Sequence, residues 1–129
     1  MTLLRPPPLE PGDRVAIVAP SAGLAAEYPH AVGRMLMGLG ERGVLGAVDG
    51  VLVGRIKARS PTVERGPADR TAYRERVRSA IRAELARYAP DATTCFGVDV
   101  GHTSPIVPMP IGGRVILDPA RDRIVLGEA

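Results

Sequence analysis

Residues 32–53 read VGRMLMGLGERGVLGAVDGVLV, and the change of period inside that stretch sets the fold class. Val32, Met35, Leu36 and Leu39 recur at helical spacing, Arg42 falls in the last turn, and Gly43 is a natural stop because glycine reaches the left-handed conformation without a Cβ penalty. Val51-Leu52-Val53 is then apolar at consecutive positions, the pattern of a strand buried on both faces, as strands of parallel sheets are. A helix feeding such a strand is half of a β/α unit.

The same alternation extends outward. Arg14 to Ala19 (RVAIVA) is a β-branched apolar run opened by the Pro11-Gly12-Asp13 turn signal and closed by Pro20. This strand expects parallel neighbours on both edges, and the chain supplies few. Arg55 to Pro67 is a basic loop. From Asp69 to Tyr88, Tyr73, Val77, Ile81, Leu85 and Tyr88 recur at helical spacing, with Ala80 filling the stripe, Asp69 suited to the N-cap and Pro90 as the stop. Thr93 to Val100 predicts another strand. Arg114–Leu117 and Arg123–Leu126 predict an antiparallel hairpin across residues 118–122. The fold class is α/β.

Bulk properties narrow the function. The chain has 129 residues, the size of one domain. With Tyr28, Tyr73, Tyr88 and Phe96 the only aromatics, the core must be aliphatic. Cys95 is the single cysteine, so neither an intramolecular disulfide nor a Cys-based zinc cluster is possible within the chain. The apolar run Val15–Ala19 is too short for a signal sequence or a membrane span. The expectation is a soluble, cytoplasmic protein without membrane or nucleic-acid partners and without a cofactor.

Several residues invite a chemical reading. His102 stands in GVDVGHTSP, a Gly-flanked loop after a strand, where α/β enzymes often place a catalytic base. From spacing alone a structural histidine is the favoured reading, since Asp99, Thr103 and Ser104 are too near in sequence to complete a triad. Cys95 lies in an apolar strand, which favours an inert core thiol over a partner for His102. Ser21 lacks the Gly-x-Ser-x-Gly setting of a nucleophile elbow and suits a helix N-cap. His30, His102, Asp99 and Glu27 lack metal-ligand spacing. The arginines of the second helix alternate with glutamates, as on a solvated face, and no aromatic stands among them to stack a base.

Longer stretches carry a resemblance. LEPGDRVAIVAPSAGLAAEYPH (Leu9–His30) is similar to the amino-terminal start of the LD-carboxypeptidase family of serine peptidases, which includes the microcin C immunity proteins. VGRMLMGLGERGVL, GVLVGRIKA, YRERVRSAIRAELARYAP, FGVDVGHTSPIVPMPIGG and RIVLGE resemble, in order, that family's carboxy-terminal domain. The resemblance implies a compact β/α carboxy-terminal domain over residues 32–129. It also implies a short strand left from a Rossmann-like amino-terminal domain within residues 1–31.

The implied chemistry is metal-free hydrolysis at a peptide's free carboxyl end, in murein peptides or a microcin-type substrate, by a serine, a histidine base and an orienting glutamate. The family's Gly-His-Thr histidine corresponds to His102. Its Gly-Tyr-Ser-Asp nucleophile motif and its Gly-Gly oxyanion loop have no counterpart here; Gly112-Gly113 belongs to the terminal hairpin region, and Glu27 does not match the orienting acid. The resemblance therefore implies an internally truncated member, joined near Ala31 and inactive alone. Its partners would be a peptide substrate once a nucleophile domain complements it, or a second copy of the chain.

Overall fold

The computed structural model describes residues 15–18, 29–59, 63–101, 104–109 and 112–127. Along the chain run β1 (Val15–Val18), α1 (Pro29–Glu41), β2 (Gly50–Gly54), α2 (Pro67–Tyr88), β3 (Thr93–Val98), β4 (Arg114–Asp118) and β5 (Arg123–Gly127). A 3₁₀ turn, Leu45–Ala47, precedes β2. β1, β2 and β3 form a parallel sheet in that order, while β4 and β5 pair as an antiparallel hairpin. Each parallel step contains a helix, the usual way of returning the chain to the same end of a sheet.

The first strand does find a neighbour. Val15 lies opposite Gly50 and Val18 opposite Val53, so of the two parallel neighbours expected for this strand the described residues supply one. Apolar runs alone do not say which strands will pair, and α1 is the connection that brings β2 alongside β1.

α1 ends as its glycine predicts. Gly43 has φ 74°, its N–H donates to the Gly40 carbonyl at 2.8 Å, and the Val44 N–H donates to the Leu39 carbonyl at 3.0 Å. These are the two bonds of a Schellman closure. α2 starts earlier than expected: Gly66 is the N-cap with Pro67 in the first turn, and Asp69 sits inside that turn instead of capping it. Proline is favoured there because its missing N–H would have had no helical partner.

Tyr73, Val77, Ile81 and Leu85 of α2 are buried. They pack with Val32 and Leu36 of α1 and with Val51 and Val53 of β2. Burying each such side chain contributes about 1.5–3 kcal/mol, which is why a helix polar on every other face still docks. Leu52 alternates to the opposite face of β2, outside that cluster, and is equally buried. The fold is thus a compact α/β domain whose parallel strands all end on one side. No described helix is long and apolar enough to cross a membrane.

Candidate functional site

The carboxyl ends of parallel strands are where open α/β sheets usually hold ligands, because the chain leaves each strand there through loops free to diverge. Here the ends of β2 and β3 are shaped by a bulge. Val53 pairs with Phe96 but Gly54 pairs with Val98, leaving Gly97 as the extra residue, at φ 79°. A bulge of this kind turns the strand and re-aims the residues beyond it. The Arg55 N–H then donates to the Val98 carbonyl at 3.1 Å, extending the ladder by one bond.

Beyond the bulge the two strand exits are tied together. Arg55 Nε lies 2.5 Å from Asp99 Oδ1, an ion pair whose geometry is not that of an aligned hydrogen bond. The Val107 N–H donates to the Asp99 carbonyl at 2.7 Å, and Val100 is buried. Asp99 and Val107 thereby close a loop whose sequence contains Gly-His-Thr. Gly101, at φ 90°, is the described first residue of that motif, and Ser104 follows it. His102 itself lies outside the described residues, as do Ser21 and Glu27.

Beside these exits lies a cavity of about 500 Å³ lined by Arg55, Lys57, Arg59, Arg74 and Arg78, with Phe96 from β3. Ser104 also reaches it. Residues 55–59 explain one bank. Arg55, Lys57 and Arg59 are exposed while Ile56 is half-buried and Ala58 buried, so an alternating segment puts its cations on one side and its apolar side chains on the other. Arg74 and Arg78, one turn apart on α2, form the other bank, and Arg74 Nε donates to the Ile56 carbonyl at 3.4 Å. The Arg78 and Arg82 guanidinium carbons lie 5.8 Å and 5.2 Å from the Phe96 ring centre.

The α2 arginines form a largely solvated face as expected, with Arg74, Arg76, Arg82 and Arg87 exposed, but two of the six have a further role. Arg74 and Arg78 line a cavity, and the ring is supplied by β3, distant in sequence. Two signals could have found the site: the Arg-x-Lys-x-Arg alternation directly after a strand, and the Arg74/Arg78 repeat bordering the buried stripe of α2.

The other candidates stay apart. His30 is exposed at the start of α1. Cys95 is half-buried in β3, and burial, then the charge of Asp122, pushes its thiol above the usual value. That disfavours the thiolate a nucleophile needs. No group of three or more metal-ligating side chains occurs among the described residues.

Residues 14–117 match the family described as the LD-carboxypeptidase C-terminal domain. The chain belongs to that family. The matched span takes in β1, both helices, the parallel sheet and nearly all of β4. No curated protein and no solved structure gives a significant match. In this LD-carboxypeptidase C-terminal domain the cationic cavity lies at the end of the sheet where Gly101 follows β3, and Ser104 lines it.

Proposed function

We propose that this chain supplies the histidine half of an LD-carboxypeptidase-type site and does not hydrolyse peptides by itself. The observation that carries the reading is the family match spanning the parallel sheet and the Gly-His-Thr loop after β3. His102 would act as the base. The nucleophile, the oxyanion donors and the orienting acid would come from a separate domain, since the sequence holds no Gly-Tyr-Ser-Asp motif. The join near Ala31 belongs to the same proposal.

A base without a nucleophile is a weak catalyst. Serine hydrolases stripped of a triad member keep only about 10³–10⁴ over water, and that residue comes from oxyanion contacts and binding. The test is D-alanine release from a murein tetrapeptide by this chain and its His102→Ala variant, each with and without a nucleophile-bearing domain of the same family. The reading expects silence from both alone, and turnover with the added domain only when His102 is intact. Release by the unassisted chain that disappears in His102→Ala would overturn it.

A second reading, a non-catalytic self-assembly module, is favoured by apolar side chains exposed on and after α1: Met35 (68%), Leu39 and Val44. Sedimentation over a concentration series tests it, and a strict monomer at high concentration would exclude it.

A further inference from the structure

The cavity between residues 55–59 and α2 is more strongly charged than its contacts require. Five cationic side chains line it. Arg55 is countered by Asp99 and Arg78 by Glu75, the latter at 2.8 Å. Lys57, Arg59 and Arg74 have no carboxylate partner among the described residues, so three positive charges (five less two) are left facing one space. No described carboxylate lines it. Like charges gathered in a concave space repel and raise the local potential, which is what draws in an anion.

The size of the space points the same way. The volume, about 500 Å³, lies in the range of sites for small molecules and exceeds what one carboxylate fills. Phe96 adds an apolar wall beside the charges.

We propose that this cavity binds a dianionic phosphate group, either inorganic phosphate or the terminal phosphomonoester of a small molecule. Arginine forks match tetrahedral phosphate oxygens, and Lys57 adds a mobile point charge. A single carboxylate would leave most of the surplus charge uncompensated. The inference rests on the cavity alone, and its test reads binding without turnover, so it can fail or hold independently of the peptidase reading.

The experiment is isothermal titration of the full chain with inorganic phosphate, glycerol 3-phosphate, succinate and acetate, repeated at raised salt. The variants are Lys57→Gln, Arg74→Gln and, as a distant control, Arg87→Gln, whose guanidinium pairs with Glu41 instead. Expected are binding of the phosphates at least tenfold tighter than of succinate or acetate and affinity that falls with salt. Lys57→Gln and Arg74→Gln should each lose at least tenfold, and Arg87→Gln should behave as wild type. Tighter binding of glycerol 3-phosphate than of inorganic phosphate would identify a phosphomonoester as the ligand, and equal binding would identify inorganic phosphate.

Amide shifts of the unaltered protein give a reading that no misfolded variant can confuse. Perturbation by phosphate should centre on Gly54, Lys57 and Gly97. The proposal is overturned by absent phosphate binding, by succinate binding as tightly, by equal losses in all variants, or by shifts centred elsewhere.

Discussion

Gly40 is the position where the packing of the two helices can be tested most sharply. A Cβ built there would lie 2.3 Å from Tyr88 Cγ and 2.4 and 2.6 Å from its Cδ atoms. Those atoms are at the root of the ring, so Tyr88 must swing as a whole and give up the hydrogen bond its hydroxyl donates to Glu41 Oε1. Overpacking of this kind costs about 1–3 kcal/mol. Against it stands the helical advantage of alanine over glycine, about 1 kcal/mol in a helix interior. Gly40→Ala should therefore destabilise by up to about 2 kcal/mol, where most exposed helical glycines would gain from the same change.

For 129 residues, an unfolding entropy of about 2.1 cal/mol/K per residue makes 1 kcal/mol worth about 4 °C. The expected fall in Tm is thus up to about 8 °C. In a Tyr88→Ala background the obstacle is gone and the sign reverses, with Gly40→Ala raising Tm by up to about 4 °C. The assay is a double-mutant cycle by thermal denaturation followed by circular dichroism. A rise in Tm for Gly40→Ala alone, or the same change in both backgrounds, would refute the argument.

Asp118 accepts from the Arg121 N–H at 3.2 Å and from its guanidinium at 3.1 Å. Burial pushes its carboxyl up, but these bonds and the charges of Arg121 and Arg123 outweigh it and hold the group below the usual range. Its contribution is complete above the ordinary carboxylate value, about pH 4, and is lost as pH falls below that through the lowered native value. Asp118→Asn should flatten the Tm profile in that acid window, and an unchanged slope would count against the pairing. Ile81 is fully buried between α1 and β2, so Ile81→Ala should cost about 2–5 kcal/mol, read from urea midpoints at constant m. Cys95 should react with a disulfide reagent more slowly than a free thiol at neutral pH and accelerate above the ordinary thiol value; a rate matching glutathione would contradict its burial.

Most of the secondary structure is legible in the chain because it is written in local periods. The four-residue spacing of Tyr73, Val77, Ile81 and Leu85 specifies a one-faced helix whatever it packs on, and Gly43 supplies the backbone freedom that ends α1. The hairpin is legible in the same way, from two apolar runs around a turn-forming segment: β4 and β5 pair with Val115 opposite Leu126 and Leu117 opposite Ile124. Asp69 misled because several first-turn residues can serve as a cap, and Gly66 with Pro67 already met the need.

What the sequence determined by itself was the set of elements and, through motifs spread over most of the chain, the family that residues 14–117 match. The pairing of β1 with β2, the bulge at Gly97 and the meeting of Lys57 and Arg59 with Arg74 and Arg78 around one cavity were decided only by tertiary structure. Hydrophobic period records how a segment is buried but carries no label for its neighbour. Charges on a basic loop and on a helix face carry no sign of one another until packing of the core sets them beside the same space.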